Sequence, residues 1–311
     1  MIAPQSIIPH NPFHPPSKEG LPSIFYIETV LACNLACPQC VIGRDVVKRV
    51  KKILTLEQFI KISDKIKHTA KLVYLHKWGE PMMNKNIFSM VKIVADYAHA
   101  HISTNGLLID ENKIEKLLMS GLGTLIISID GISQEVYEQY RIGGKVNKVL
   151  KNLEIASRVS KKLKSKTKII PQFIVFKHNY HQIEDFKKYC MKLDLIPVFK
   201  KPYIRFDDTN VEESFDISYH RTKYINQEDH YDAISKCDKV ISVMTITADG
   251  TILLCPQDYN GDFNLGNILK DDRSLKEFWF DPKFIEIRNR VLKKNPLDLC
   301  VNKCMIYNKG Y

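Results

Sequence analysis

Apolar runs near residues 24–30, 71–76, 99–103, 123–129, 167–176 and 194–200 alternate with amphipathic helical patterns near 55–68, 85–98, 110–120, 145–162 and 180–191. A helix between two strands carries the chain back across one face of the sheet, so consecutive strands of this kind pair in parallel. Six such units suit a partial (βα)6 barrel, TIM-like and open on one side. Polar groups placed where the strands end would then line a common rim.

The first strand runs straight into a cysteine loop. Glu28-Thr29-Val30-Leu31-Ala32-Cys33-Asn34-Leu35-Ala36-Cys37-Pro38-Gln39-Cys40 places three of the chain's eight cysteines at C-x3-C-x2-C spacing. A structural zinc site wants four protein ligands, and no fourth Cys or His follows within the loop. Three thiolates suit an iron–sulfur cluster that keeps one iron open for a further ligand. Disulfide pairing is disfavoured in a chain without an export signal.

Other strand ends carry small polar residues and glycine. Leu72-Val73-Tyr74-Leu75 leads into His76-Lys77-Trp78-Gly79-Glu80-Pro81, where glycine lets backbone carbonyls approach a ligand and the Glu80 carboxylate offers an acceptor to an ammonium group. An ordinary strand-to-helix turn stopped by Pro81 is the competing reading. Ser103-Thr104-Asn105-Gly106 and Ser128-Ile129-Asp130-Gly131 repeat the pattern, and Tyr140-Arg141-Ile142-Gly143-Gly144 follows.

The cysteine loop and the motif at Gly79-Glu80-Pro81 together resemble the radical S-adenosylmethionine (SAM) enzymes. The resemblance implies that Cys33, Cys37 and Cys40 hold a [4Fe–4S] cluster whose open iron binds the amino and carboxylate groups of SAM. It further implies SAM contacts from Gly79, Glu80, Pro81, Ser103, Asn105, Ser128 and Asp130, with Arg141 on the SAM carboxylate. Gln39 stands where the family usually has an aromatic residue, which weakens one expected adenine contact.

Cysteines return near the C-terminus as Cys237-x12-Gly250-x4-Cys255 and Cys300-x3-Cys304. Asp249-Gly250 lies between β-prone runs at Ile241–Ile246 and Thr251–Leu254, which is a hairpin signal. A helical stretch from Leu275 to Leu292 follows. Four thiolates can close a second site for zinc or an iron–sulfur cluster, and spacing does not separate the two. With Gly261–Ile268, the element resembles the auxiliary-cluster domain of the SPASM and shorter "twitch" radical SAM subfamilies. That resemblance implies one auxiliary [4Fe–4S] cluster on Cys237, Cys255, Cys300 and Cys304, wholly protein-ligated and suited to electron transfer. The Cys300-x3-Cys304 spacing departs from the usual C-x2-C.

The organisation expected is an irregular N-terminal arm over 1–20, rich in proline, a radical SAM barrel over 21–200, a linker or substrate-covering segment over 201–231, and a small α+β auxiliary domain over 232–311. Cys190, within a helical pattern, is read as a core residue. At 44% hydrophobic and 26% charged residues the chain is an ordinary globular protein with no membrane-length apolar run, expected in the cytoplasm. The net charge of +11 includes runs at 48–52 and 161–166 that are read as solvated faces, so nucleic acid is not an expected partner. The resemblance implies an oxidoreductase acting on a small molecule such as a sugar or cyclitol alcohol, fed by a low-potential donor such as flavodoxin or ferredoxin. Modification of a ribosomally made peptide is the alternative, and a non-catalytic iron–sulfur or zinc protein a third. His76, Lys77 and Arg205 are the candidates for a base.

Overall fold

The computed structural model describes residues 20–206, 209, 237, 239–292, 295, 297 and 300. Six parallel strands form its centre: β1 (Ile24–Ile27), β2 (Leu72–Tyr74), β3 (His99–Thr104), β4 (Thr124–Ser128), β5 (Lys168–Ile174) and β6 (Val198–Lys200). Between them run α1 (Leu56–Ile66), α2 (Ile87–Ala95), α3 (Glu111–Met119), α4 (Gln134–Tyr140), α5 (Val146–Leu163) and α6 (Ile183–Lys192). The strands lie in sequence order, as expected when each crossover helix returns the chain to the next position.

Alternation along the strands creates two environments. Phe25, Ile27, Val73, Leu75, Ala100, Ile102, Leu125 and Ile127 join the large core with the helices, where Cys190 is also fully buried. Their neighbours point to the opposite, concave face, where Ile24, Leu72 and Val243 form one small apolar cluster and Ile126, Ile170 and Val198 another. Local signals start the helices: Thr55 and Gln58 make a capping box at α1, and the Asp110 carboxylate accepts the Lys113 N–H at α3.

Beyond β6, residues 201–206 have no regular structure. A short helix, α7 (Lys239–Ser242), leads into β7 (Val243–Ile246), β8 (Thr251–Leu253) and β9 (Asn264–Asn267). β7 and β8 are the antiparallel hairpin signalled by Asp249-Gly250, and Gly250 sits at φ +88°, a conformation costly for other residues. β7 also pairs in parallel with β1, Ile24 to Ile27 against Val243 to Ile246. The hairpin therefore extends the barrel's own sheet, giving nine strands among the described residues in the order β6-β5-β4-β3-β2-β1-β7-β8-β9.

Two local expectations are corrected, and one helix had no sequence signal. Ile241 and Ser242 end α7 instead of starting a strand. The stretch Leu275 to Leu292 is two helices, α8 (Leu275–Trp279) and α9 (Pro282–Leu292), because Pro282 lacks the N–H that a continuing helix would need. α4, seven residues long, is too short to show a periodic signal. The N-terminal arm up to residue 19 and most of the 201–231 segment lie outside the described residues, as does Cys304.

Candidate functional site

The loop after β1 brings its three thiols into electrostatic reach of one another. The Cys40 N–H donates to the Cys37 carbonyl at 3.0 Å, which curls the C-x2-C turn. Gly43 packs on that turn so closely that a Cβ there would lie 2.4 Å from the Cys37 carbonyl oxygen. Burial raises the Cys33 thiol pKa and pushes that of Cys37 up to about 12, with the Arg141 cation working in the opposite direction on both. Two side-chain donors face the sulfurs: Asn105 Nδ2 is 3.8 Å from Cys33 Sγ and Arg141 Nη1 is 4.0 Å from Cys37 Sγ.

Glu80 organises the next strand ends. Its side chain is buried, Oε1 accepting from Met82 N at 3.0 Å and Thr104 Oγ1 at 2.7 Å, and Oε2 from Asn105 N at 2.8 Å. Burial raises its pKa, opposed first by the Asn105 N–H. The carboxylate expected to meet an ammonium group thus has protein donors on both oxygens and fixes the Asn105 turn, whose side chain reaches Asn34 and Cys33. Pro81 opens the 3-10 turn Pro81–Met83, capped by Glu80. Gly79 has no room for a side chain, since a Cβ would lie 2.0 Å from the Val30 carbonyl oxygen.

Asp130 and Arg141 form a buried pair, Arg141 Nε to Asp130 Oδ2 at 2.6 Å. Asp130 Oδ1 accepts the Ile174 N–H at 2.6 Å, and Asn179 Nδ2 donates to the Asp130 carbonyl at 2.9 Å. Arg141 therefore stands between an acid and the Cys37 thiol. Thr104, Asn34 and Asn179 are members of this network that the sequence reading did not single out.

On the concave face, register places Thr245, Tyr26, Tyr74 and His101 side by side on β7, β1, β2 and β3. The Tyr26 and Tyr74 rings stack with centroids 4.3 Å apart, and His101 lies 4.6 Å from Tyr74 and 5.3 Å from His76. His101 Nδ1 and Thr245 Oγ1 are buried without a hydrogen-bond partner. Ser103 donates its N–H to His76 Nδ1 at 3.1 Å, and the Ser128 hydroxyl accepts from Gln172 Nε2 at 3.4 Å.

The three base candidates lie in different surroundings. Burial, with help from Lys77 and Lys200, pushes the His76 pKa down to about 3, so this imidazole is a neutral acceptor and a poor proton sink. Lys77 Nζ lies over the Tyr26 and Trp78 rings at 5.3 and 4.9 Å. Arg205 donates Nη1 to Gln39 O at 3.3 Å and Nη2 to Gln257 Oε1 at 3.2 Å, so its planar fork is spent on two protein acceptors. Arg49, placed by sequence in a solvated run, is likewise engaged: it grips Glu28 through both oxygens at 2.9 and 2.7 Å and donates Nε to Tyr259 O at 2.8 Å.

Cys237, Cys255 and Cys300 are half-buried against the main core, and Gln257 N donates to Cys255 Sγ at 3.4 Å. The donors suit iron–sulfur chemistry at the first loop: three thiols, N–H groups turned on sulfur, and no His, Asp or Glu between residues 32 and 43. Among the described residues no helix is long and apolar enough to cross a membrane.

Residues 27–190 match the model of the radical SAM superfamily, and residues 237–305 that of the SPASM iron–sulfur cluster-binding domain. Among curated proteins, the GTP 3',8-cyclase of Peptoclostridium acidaminophilum is 30% identical over 167 residues, 50% of this chain and 47% of that protein. The chain spans about half the length of the curated relatives it matches. Among solved structures, BtrN in complex with AdoMet and 2-DOIA aligns with TM-score 0.59 and 17% identity, covering 94% of each chain. Streptococcus suis SuiB bound to the precursor peptide SuiA aligns with TM-score 0.66 and 16% identity, covering 86% of this chain and 67% of SuiB. The chain belongs to the radical SAM superfamily and carries a SPASM domain, and the cofactors that these two domains imply are SAM and two [4Fe–4S] clusters.

Proposed function

We propose that the chain is a radical SAM oxidoreductase whose substrate, a small polyhydroxylated molecule such as a sugar or cyclitol alcohol, loses a hydrogen atom, a proton and an electron. Cys33, Cys37 and Cys40 would hold the SAM-binding cluster, and Cys237, Cys255, Cys300 and Cys304 the auxiliary one. Bound there, these groups supply a 5'-deoxyadenosyl radical to take the hydrogen atom and an acceptor for the electron.

The observation that carries this reading is the concave face. His101 Nδ1 and Thr245 Oγ1 are buried with unmet hydrogen-bonding capacity at opposite ends of the Tyr26–Tyr74 stack. Leaving such groups unpaired is costly, and a hydroxyl can satisfy either because it both donates and accepts. The small clusters around Ile24 and Ile126 supply apolar surface on that same face for the carbon skeleton. Gly79, Glu80, Asn105, Asp130 and Arg141 would orient SAM between this wall and the first cluster, with Ser103 and Ser128 beside it. The end-to-end alignment with a structure holding a small molecule supports the same choice. The net charge of +11 suits an acidic electron donor such as flavodoxin or ferredoxin.

The test uses anaerobically reconstituted protein with SAM, a low-potential reductant and sugar or cyclitol alcohols deuterated at the carbinol carbon. Deuterium should enter 5'-deoxyadenosine with one ketone formed per transfer. Transfer only from peptide substrates would sink the small-alcohol reading.

A further inference from the structure

Gln39 immediately precedes Cys40, and Gln257 lies two residues after Cys255; one guanidinium joins them. Arg205 donates Nη1 to the Gln39 carbonyl at 3.3 Å and Nη2 to Gln257 Oε1 at 3.2 Å. Gln39 in turn seats Arg205, its Oε1 accepting from Arg205 N at 2.6 Å and Phe206 N at 2.9 Å, and its Nε2 donating to Phe206 O at 2.8 Å. The Gln39 amide thus pairs with the 205–206 backbone much as a neighbouring strand would, and Gln39 is buried at 3% exposure. Tyr203 and Tyr259 flank the guanidinium, with ring centroids 4.4 and 5.9 Å away. At the far end of the bridge, Gln257 N donates to Cys255 Sγ at 3.4 Å.

We propose that Arg205, seated by Gln39, is a positioning residue that fixes the Cys255 loop against the Cys33–Cys40 loop and thereby sets the reduction potential of the auxiliary cluster. The inference rests on the reading of Cys255 as a ligand of that cluster. An N–H directed at a ligand sulfur draws electron density from it and favours the reduced state, and a nearby cation adds to the effect. Arginine suits the place because its planar fork serves two acceptors at once, which a lysine ammonium on a flexible stem does less well. The position before Cys40 would in this chain serve cluster-to-cluster geometry through Gln39.

The experiment is an EPR-monitored redox titration of the full chain carrying Cys33→Ala, Cys37→Ala and Cys40→Ala, so that only the auxiliary cluster contributes. Adding Arg205→Met should lower the reduced-to-oxidised ratio at a fixed poise about tenfold, which is about 59 mV for a one-electron couple. Gln257→Leu, which removes the acceptor and no charge, should lower it about threefold. Arg205→Lys should recover less than half of the Arg205→Met shift. Titrations superimposable on the parent, or full recovery by lysine, overturn the bridging role. Failure of the triple variant to bind iron overturns the auxiliary-cluster reading itself, and the inference with it.

Discussion

Replacing Glu80 with alanine is the sharpest structural test of how the strand-end loops around it are held. Glu80 is 3% exposed, and its carboxylate satisfies Met82 N, Thr104 Oγ1 and Asn105 N. The Thr104 hydroxyl can rotate to another acceptor, whereas the two backbone N–H groups cannot move without the turn. Each donor left buried and unmet costs about 1–3 kcal/mol, so the pair costs about 2–6 kcal/mol. The variant no longer buries a carboxylate, which offsets part of this, and a net loss of about 2–4 kcal/mol is expected. Urea unfolding of metal-free protein measures it directly, and Cys33 should be alkylated faster because Asn105 is released from its sulfur. Glu80→Gln keeps one acceptor oxygen but sets an amide N–H against one of the donors, so it should lose about 1–2 kcal/mol. A Glu80→Ala protein within about 0.5 kcal/mol of the parent would refute the reasoning.

Three further outcomes follow from the same geometry. Gly79→Ala should fail to retain iron at the first cluster after anaerobic reconstitution, because its Cβ would meet the Val30 and Ala32 carbonyl oxygens at 2.0 and 2.8 Å; parent-like iron content would contradict this. Arg49→Met leaves the buried Glu28 carboxylate uncompensated and should cost about 3–5 kcal/mol in urea unfolding, with Glu28→Gln added to it recovering much of the loss. His76 has its folded pKa depressed to about 3, so the unfolded chain binds the extra proton between pH 3 and about 6.5. Stability should therefore rise with pH through that window and be lost as pH falls; His76→Asn should flatten the slope by up to about 1.4 kcal/mol per pH unit.

What could be read from the sequence and what could not divide along one physical line. Cys33, Cys37 and Cys40 and the polar strand ends at Gly79-Glu80, Asn105 and Asp130 are contiguous patterns, and a barrel rim collects strand ends whatever the loops do between them. The partners of Arg49, Gln39 and Arg205 could not be read this way, because Arg49 meets Tyr259 across 210 positions and Arg205 meets the Gln39 carbonyl across 166. A lysine- and arginine-rich run looks solvated until a partner such as Glu28 is folded against it. The burial that lowers the His76 pKa is likewise invisible in a linear sequence, because it depends on what packs around the ring. The break between α8 and α9 was written in Asp281-Pro282, but the apolar period continued across it.

At the centre of the proposed chemistry, Cys33, Cys37 and Cys40 would hold a cluster that acts on SAM while a second cluster sits apart. The direct measurement is 5'-deoxyadenosine formed from SAM under a low-potential reductant, alongside iron and sulfide per chain, in the parent, Cys33→Ala and Cys255→Ala proteins. The parent should hold about eight iron atoms and cleave SAM, Cys33→Ala should abolish cleavage, and Cys255→Ala should lose about half the iron while cleavage is kept. A parent protein that binds about eight iron atoms yet yields no 5'-deoxyadenosine would contradict this chemistry.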